Sequence, residues 1–323
     1  MVSFRRWSPL LLVVAGAFLM LFFEHVVLPH FLYRTADTSR SSSSKTTPST
    51  GKTLVYRFNG RKIEQLHDFC TWSVNFDCVP LKSQSGETPI HIHDIMVDHW
   101  VSKDIKLKGA WEPGNIHLVL SELKKDPELG FLDLGSHVGA FSLSVAKFGR
   151  KVVSVDPLIE NVQRLCKSIQ KGGFTDRMTI LFNPLGANHS LVSFKREDGN
   201  VGGTSVVAPN GSSSQSPCDE STDSYTITLD DTLPYLPFKK AFLKVDIQEY
   251  EYYVLNGTDR FFKEIEVPGI LMEWVLMKSD INGKNLVDLL SGLKYSAYEP
   301  RIGGRKLDPN QYQSWPFDVL WKK

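Results

Sequence analysis

The sequence predicts a doubly wound α/β domain with a mostly parallel sheet, because short apolar runs alternate with helical patterns through its C-terminal part. Residues 131–134 form an apolar run that ends at Gly135, which is typical of a buried strand. Residues 138–148 then carry apolar side chains at helical spacing. A strand, a crossover helix and a second strand in this order form a parallel sheet covered by helices. The chain has 323 residues, 41% of them hydrophobic, which is enough apolar material for a core.

The remaining elements follow in chain order. Residues 151–155 predict a second strand, and the helix after it ends at Gly172 and Gly173. The apolar positions on one face of that helix are Leu158, Val162, Leu165 and Ile169. Further strands are predicted at residues 178–182, 241–245 and 270–274. The C-terminal runs at 295–298 and 317–321 have no helix between them, which predicts an antiparallel edge hairpin with a long connection.

The charge and composition exclude several classes of protein. Thirty-seven basic residues against 36 acidic ones give a formal net charge of +1, so we expect no nucleic-acid partner. Collagen, coiled coils and general disorder are excluded by composition. No internal repeat is visible, which argues against a solenoid or a propeller.

The N-terminal residues predict a membrane anchor. Arg5 and Arg6 precede an apolar stretch over residues 7–28 that is interrupted by Glu24 and is long enough to span a bilayer. Arginines on this side favour a cytoplasmic N-terminus and a translocated body. We therefore expect a signal-anchor within residues 1–33 and a single-pass type II membrane protein of the Golgi or endoplasmic reticulum. A cleaved signal peptide is the alternative.

Residues 34–52 are rich in Ser and Thr and predict a flexible stem, followed by an N-terminal extension over residues 53–90. Cys70 and Cys78 bracket a short segment of the extension, and either pair in a disulfide or remain free thiols. We expect Cys166 in the core and find no clear partner for Cys218. Acceptor triplets for N-glycosylation begin at Asn188, Asn210 and Asn256 and agree with a luminal body.

A candidate ligand site lies at the carboxyl ends of the first two strands. Gly135 and Gly139 let the backbone turn sharply and approach a ligand. Asp156 ends the second strand, where a carboxylate accepts hydrogen bonds from ribose hydroxyls. A dinucleotide site favours G-x-G-x-x-G, but His137 stands at the second glycine position. These residues favour the nucleoside S-adenosylmethionine, and an ordinary tight turn with a helix-capping aspartate is the alternative.

The chain resembles the FkbM-type methyltransferases in three ordered blocks: Phe-Leu-Asp-Leu-Gly-Ser-His-Val-Gly from residue 131, Val-Val-Ser-Val-Asp-Pro from residue 152, and Leu-Lys-Val-Asp-Ile-Gln-Glu-Tyr-Glu from residue 243. The resemblance covers residues 91–323. It implies a seven-stranded, S-adenosylmethionine-dependent fold that most often performs O-methylation.

The resemblance also implies which residues bind the cofactor. These are Asp133, Gly135, His137, Gly139, Asp156 and Asn183. Asp133 and the two glycines would line the methionine end, Asp156 would hold the ribose, and Asn183 would lie near the adenine. His137 lies in the same loop and either faces the substrate or makes an orienting backbone contact. Trp111 and Glu112 resemble a family element whose role the sequence does not give.

The block after residue 243 departs from the family pattern Lys-Ile-Asp-Val-Glu-Gly-x-Glu. Gln248 replaces the first Glu and Glu249 replaces the Gly, which leaves catalytic competence open. Asp246 is the first candidate for the base that takes the proton of a hydroxyl acceptor. The further candidates are Glu249, Glu251 and Glu273. Capping and ion pairing around Lys244 is the alternative role for Asp246 and Glu251.

Two other segments carry weaker predictions. His91, His93, Asp94, Asp98 and His99 have metal-ligand chemistry, but a solvated face is the favoured interpretation and we expect no metal site. Residues 197–224 are rich in Gly, Ser and Asp, and form either a substrate lid or a disordered insertion.

The leading hypothesis is a membrane-anchored luminal O-methyltransferase that uses S-adenosylmethionine and acts on a glycan or another hydroxyl-bearing acceptor. The first alternative is a binding or scaffold protein that keeps the fold without turnover. A nicotinamide-dependent oxidoreductase is less favoured, because the dinucleotide glycine pattern is incomplete.

Overall fold

The computed structural model describes residues 52–207 and 223–323. The predicted signal-anchor, nearly all of the predicted stem, Asn210 and Cys218 lie outside these residues. Within the described ranges, no helix is both long enough and apolar enough to cross a bilayer.

The described residues form 14 strands and seven α-helices. The strands are β1 Leu54–Phe58, β2 Ile63–Gln65, β3 Asp77–Ser83, β4 Gly86–Ile92, β5 Leu129–Leu134, β6 Val152–Val155, β7 Met178–Leu181, β8 Leu191–Glu197, β9 Asn200–Val207, β10 Asp223–Tyr225, β11 Lys240–Val245, β12 Glu266–Glu273, β13 Ser296–Tyr298 and β14 Asp318–Lys322. The helices are α1 Val101–Lys108, α2 Pro113–Lys125, α3 Ala140–Lys147, α4 Ile159–Gly172, α5 Glu251–Asn256, α6 Phe261–Glu264 and α7 Ile281–Gly292. Short 3-10 helices lie at Phe69–Thr71, Asp230–Tyr235 and Pro309–Ser314.

The central sheet is mostly parallel, with the order β13-β14-β12-β11-β5-β6-β7-β1-β2. The six consecutive strands from β12 to β1 are parallel to one another. The chain proceeds outwards from β5 to β6 and β7 in one direction, and through β11 and β12 in the other. This topology confirms the predicted doubly wound arrangement, and it puts the reversal of strand order between β5 and β11.

The predicted number of seven strands is wrong, because the sheet has nine. The two additional strands are β1 and β2, which come from the segment expected to be an N-terminal extension. Strand β1 pairs in parallel with β7, and β2 pairs with β1 in the antiparallel direction. Val55 and Phe58 on β1 are buried in the two core layers, so this edge is stabilised by packing as well as by backbone hydrogen bonds.

Alternate residues of the central strands enter two separate core layers, as the two-residue period of a strand requires. On β5, Phe131 packs in one layer, whereas Leu132 and Leu134 pack in the other. The first layer lies under α1 to α4 and the β3–β4 hairpin, and the second lies under α5, α6 and α7. Because both faces are covered, the central strands are continuous apolar runs.

The C-terminal strands confirm the predicted antiparallel hairpin. Strand β14 pairs with both β12 and β13 in the antiparallel direction, and β13 forms the edge of the sheet. Trp274, Trp315 and Trp321 pack against one another beside this edge, with ring centroids 5.0–5.9 Å apart. Aromatic pairs at this spacing stabilise a fold by about 0.5–1.5 kcal/mol beyond their burial.

Neither alternative for Cys70 and Cys78 holds in full, because the two do not pair and only Cys78 is a free thiol. Cys70 forms a disulfide with Cys166, with 5.4 Å between the Cα atoms and a sequence separation of 96 residues. The 3-10 helix that carries Cys70 packs against α4, which carries Cys166 on its buried face. Cys78 is the free cysteine of the described residues. The disulfide therefore links the N-terminal strands to the central α/β layers.

Strands β8, β9 and β10 form a separate antiparallel sheet, and β9 with most of β10 belongs to the segment 197–224 predicted as a lid or a disordered insertion. Residues 208–222 of that segment lie outside the described residues. The β8–β9 hairpin is held to the body by an ion pair between Arg196 and Glu160 at 2.6 Å. A backbone hydrogen bond of 2.8 Å from the His99 N–H to the Gly199 carbonyl adds a second contact.

Candidate active site

A cavity of about 440 Å³ lies at the carboxyl ends of the central strands, where the strand order reverses. Its lining includes residues that follow β5, β6, β7 and β11. Ligands of open α/β sheets bind at this position, and the volume is within the ~300–1,000 Å³ range of small-molecule sites. The fold therefore brings most of the predicted site residues to one place.

The turn after β5 depends on Gly135. Its φ is +84°, and a side chain here would overlap the carbonyl oxygen of Asp246. The backbone of Asp246 is held in register by a 3.0 Å hydrogen bond from its N–H to the Leu134 carbonyl. Gly139 has a φ of +90° and packs against Leu165 instead of lining the cavity. Gly135 is thus part of the cavity wall, whereas Gly139 determines how α3 packs on α4.

The carboxylate of Asp156 accepts three hydrogen bonds from the protein. Oδ1 accepts from the Leu158 N–H at 2.9 Å and from Asn161 Nδ2 at 3.0 Å, and Oδ2 accepts from the His137 N–H at 2.7 Å. Asp156 therefore contacts the first turn of α4 through Leu158 and Asn161, and it also lines the cavity. Burial raises the pKa of Asp156 to about 7, against the hydrogen bonds that favour the ionised form.

His137 makes the backbone contact that was one of its two predicted roles, and its ring also lines the cavity. Both ring nitrogens are buried and have no hydrogen-bond partner among the described residues. The ring Nε2 lies 3.9 Å from Oδ2 of Asp98, and burial lowers the pKa of His137. The imidazole is therefore neutral and keeps a donor and an acceptor available.

Asp133 and Asn183 both line the cavity, but their polar atoms are used differently. Oδ2 of Asp133 accepts from the Ser142 hydroxyl at 2.5 Å, while Oδ1 is buried without a hydrogen-bond partner in the part of the chain that the structure describes. Burial raises the pKa of Asp133. The Asn183 amide is bonded to the backbone of Phe58 and Tyr225, which ties β1 and β10 to β7. Asp133 retains hydrogen-bonding capacity for a ligand, whereas the Asn183 side chain is engaged within the protein.

The other end of the cavity holds a group of charged and amide side chains after β11 and β12. Lys244 Nζ donates to Asp246 Oδ2 at 2.8 Å. Gln248 Nε2 donates to Asp246 Oδ1 and to Glu273 Oε2, both at 3.0 Å. The nearby Lys244 ammonium lowers the pKa of Asp246 despite burial. Burial and the negative charge of Asp246 raise the pKa of Glu273 to about 9, so the pair shares one negative charge at neutral pH.

Glu112 lies at the same end of the cavity, which gives the Trp111-Glu112 element a location. Its carboxylate accepts from Asn115 Nδ2 at 2.9 Å, and the same amide nitrogen donates to Asp318 at 2.8 Å. Burial raises the pKa of Glu112 to about 7, although Lys244 opposes this shift. Glu112 is therefore part of the acidic surroundings of Lys244.

The other two candidate bases lie away from the cavity. Glu249 is exposed and Glu251 is buried, and neither lines the cavity. Glu251 Oε1 accepts from the Ile247 N–H at 3.0 Å, so this carboxylate stabilises the loop that precedes α5. Gln248 and Glu249 have φ values of 54° and 74°, so both adopt the left-handed conformation that favours glycine. Of the four candidate carboxylates, Asp246 and Glu273 line the cavity, whereas Glu249 and Glu251 do not.

The solvated face predicted for residues 91–99 is wrong for most of its polar side chains. His91, His93 and Asp98 are 8%, 3% and 0% exposed, because β4 is packed between α4 and the neighbouring helix α1. Asp94 and His99 are the exposed members of this group. Among residues 52–207 and 223–323, no three His, Cys, Asp or Glu side chains are grouped as metal ligands would be.

Several cavity residues were not predicted from the sequence. Residues 200–204 of β9 and Val206 cover one side, so part of the segment predicted as a lid does line the cavity. Trp100 and Phe317 line the mouth and are more than half exposed, at 59% and 52%. Asn161 was also missed, although its position on the helix directly after Asp156 is a usable signal.

The central part of the chain is similar to one protein family. Residues 133–290 match the model of the methyltransferase FkbM domain. The FkbM-matched segment begins at Asp133 and ends in α7, so it contains the Gly135 turn, Asp156 and the block around Asp246. It is shorter at both ends than the resemblance predicted over residues 91–323. No curated protein matches the chain.

Solved structures with similar folds are distant from this chain. An O-methyltransferase from Bacillus cereus in complex with SAH has 11% identity and a TM-score of 0.38, over 66% of this chain and 82% of its own. A SAM-dependent methyltransferase from Agrobacterium tumefaciens has 7% identity and a TM-score of 0.38, over 83% and 75%. A precorrin-6y C5,15-methyltransferase from Geobacter metallireducens GS-15 has 8% identity and a TM-score of 0.36, over 64% and 86%.

Proposed function

We propose that this protein is an S-adenosylmethionine-dependent methyltransferase that methylates a hydroxyl oxygen of a neutral acceptor. The observation that carries the proposal is the arrangement of one cavity. It has the Gly135 turn and the Asp156 carboxylate at one end, and Asp246 with Lys244 at the other. The match of residues 133–290 to the methyltransferase FkbM domain supports the same reaction class.

The residues of the cavity fit the cofactor. Asp133 Oδ1 is a buried acceptor without a hydrogen-bond partner among the described residues, which suits the ammonium group of the methionine part. Oδ2 of Asp156 accepts one hydrogen bond from the protein, so it has capacity for a ribose hydroxyl. The turn at Gly135 and His137 lacks the second glycine of a dinucleotide site, which disfavours a nicotinamide cofactor.

The cofactor supplies a methyl group on a sulfonium, which moves to the acceptor oxygen as the carbon–sulfur bond breaks and a carbon–oxygen bond forms. The chain must hold the acceptor oxygen in line and remove its proton. Asp246 suits this role because Lys244 and Gln248 keep its carboxylate ionised and fixed in direction. Positioning of this kind lowers the activation free energy of a reaction by several kcal/mol, on the order of 7–11 kcal/mol in favourable cases.

The charge of the cavity favours a neutral or cationic acceptor over an anionic one. Among the described residues that line the cavity, Lys244 is the only Lys or Arg, and it is already paired with Asp246. The carboxyl groups that line the cavity are those of Glu112, Asp133, Asp156, Asp246 and Glu273. A phosphate or carboxylate on the acceptor would meet carboxyl groups, part of them ionised, and no unpaired Lys or Arg among the described lining residues. The hydroxyls of a sugar or another polyol can donate hydrogen bonds to these carboxyl groups, and its ring can pack against an exposed aromatic side chain such as Trp100.

A luminal location is part of the proposal. The Cys70–Cys166 disulfide suits an oxidising compartment, because structural disulfides are rare in the reducing cytosol. Asn188 and Asn256, which begin two of the glycosylation triplets, are exposed. With the N-terminal signal-anchor predicted from sequence, these features support a type II membrane protein of the secretory pathway that methylates a glycan hydroxyl.

Calorimetry and transfer of a labelled methyl group test the proposal. We expect the full-length protein to bind S-adenosylmethionine and S-adenosylhomocysteine and to have no measurable affinity for NAD. Labelled S-adenosylmethionine should label a neutral glycan in preference to a sulfated or phosphorylated one. Binding without transfer to any glycan, lipid or protein acceptor would favour the scaffold alternative, and binding of NAD alone would contradict the cofactor assignment.

A further inference from the structure

A buried chain of hydrogen bonds connects His93, which lies outside the cavity, to Asp156 inside it. Asn161 Nδ2 donates to Asp156 Oδ1 at 3.0 Å, and His93 Nε2 lies 2.7 Å from Asn161 Oδ1. The three residues are 2–3% exposed. Asn161 and Asp156 line the cavity, but His93 does not. His93 can therefore affect a ligand at Asp156 through the Asn161 amide.

The direction of each hydrogen bond follows from the chemistry of the groups. An ionised carboxylate accepts only, so Asn161 presents its NH2 group to Asp156 and its carbonyl oxygen to His93. His93 must then donate from Nε2. Burial lowers the pKa of His93 to about 4, so the ring is neutral at physiological pH and carries its single proton on Nε2. The ring orients the amide, and the amide orients the carboxylate.

His93 is itself held by the start of α1. Its backbone N–H donates to the Ser102 hydroxyl at 3.0 Å. The Ser102 N–H donates to Oδ2 of Asp98 at 2.8 Å, and Asp98 is fully buried. The position of the imidazole therefore depends on rigid, buried contacts and not on an exposed loop.

We propose that His93 is a positioning residue for the ribose-binding carboxylate of Asp156 and acts through Asn161. Oδ1 of Asp156 is occupied by Asn161 and Leu158, so Oδ2 is the atom that remains for a ribose hydroxyl. Loss of the His93 donor leaves the Asn161 carbonyl oxygen buried without a partner and frees the amide to rotate. This proposal rests on the proposed function, because the ligand at Asp156 is taken to be the adenosyl group.

Ligand pairs that differ only in the ribose diol test the proposal. Calorimetry measures the affinity of the full-length protein for S-adenosylhomocysteine and for its 2′,3′-dideoxy analogue. The ratio of the two affinities gives the contribution of the ribose hydroxyls to binding. We expect His93→Leu to reduce this ratio about tenfold through weaker binding of S-adenosylhomocysteine alone. His93→Gln should restore most of the ratio, because an amide nitrogen replaces Nε2 as the donor.

His91→Leu is the matched control, because His91 lies two residues earlier, is also buried, and contacts Ser168 instead of Asn161. We expect it to leave the ratio unchanged. If His93→Leu does not fold, Asn161→Ala removes the same link without a change at His93, directly after β4. A wild-type ratio in folded His93→Leu or Asn161→Ala overturns the positioning role. A wild-type protein that binds neither ligand instead overturns the proposed function.

Discussion

Gly135 and the backbone of Asp246 are in direct contact, with no room between them for a side chain. A Cβ on Gly135 would overlap the Asp246 carbonyl oxygen, and the φ of +84° adds strain for any other residue. The contact joins the end of β5 to the end of β11, the two strands on either side of the reversal in strand order. The residue that forms the cofactor turn therefore also positions the proposed catalytic carboxylate.

Gly135→Ala should destabilise the protein by roughly 2–5 kcal/mol, because it adds overpacking of about 1–3 kcal/mol to backbone strain of about 1–2 kcal/mol. Gly149→Ala is the matched control, since Gly149 has a φ of +96° and no atom within 4 Å of a Cβ. Gly149→Ala should lower the stability of the fold only by the backbone strain of about 1–2 kcal/mol. Urea denaturation of both variants measures the difference, and equal losses would contradict the close contact with Asp246.

Glu249→Gly should stabilise the protein by about 0.5–1 kcal/mol, because Glu249 has a φ of 74° that glycine adopts without steric cost. Glu249→Ala removes the carboxylate and keeps the strained conformation, so we expect it to give no gain. Since Glu249 is exposed and away from the cavity, both variants should also keep wild-type affinity for S-adenosylhomocysteine. A large loss of affinity in both would contradict this placement.

Gln248→Glu should destabilise the protein in a pH-dependent way. The amide nitrogen of Gln248 donates to Asp246 and Glu273, and a glutamate would add a third carboxyl group beside them. Burial and like charge would raise its pKa in the folded state above the unfolded value of about 4.3, so the penalty is absent below pH 4 and grows as the pH rises. Relative to Gln248→Met, we expect a loss of about 2 kcal/mol at pH 8 and a smaller one at pH 5, measured by denaturation.

Binding of S-adenosylhomocysteine should strengthen as the pH rises from 6 to 8. Burial raises the pKa of Asp156 to about 7, and ribose hydroxyls donate to the ionised form, so binding is linked to loss of a proton. At pH 6 about a tenth of the protein is ionised at Asp156, which weakens binding about tenfold relative to high pH. Calorimetry across this range measures the effect. Asp156→Asn should bind weakly at every pH, and an unchanged pH profile in this variant would assign the titration to another group.

Cys70→Ser and Cys166→Ser should each destabilise the protein by about 2–5 kcal/mol, because the disulfide closes a long loop across 96 residues. Cys78→Ser should change stability little, since Cys78 is free. Mass spectrometry of the non-reduced, digested protein should find the Cys70–Cys166 peptide pair. A Cys70–Cys78 pair would contradict the disulfide of the structure and favour the first of the two alternatives left open by the sequence.

The alternation of apolar runs and helical patterns was enough to predict the central strands, α3, α4 and the C-terminal hairpin. Glycine and aspartate at strand ends were enough to predict where the cavity lies, because these signals are local in the chain. The block around Gln248 and Glu249 was recognised as unusual. The sequence did not predict which carboxylate of this block lines the cavity, because the direction of each side chain depends on the conformation of the loop before α5.

The sequence by itself determined the class of fold, the edge of the sheet that carries the site, and the residues Gly135, Asp156 and Asp246 at that edge. The tertiary structure decided that β1 and β2 extend the sheet, that Cys70 pairs with Cys166, and that His93 reaches Asp156 through Asn161. The physical reason is that strand and turn signals span a few neighbouring residues. Partners such as His93 and Asn161 are 68 residues apart and meet only when the packed layers form.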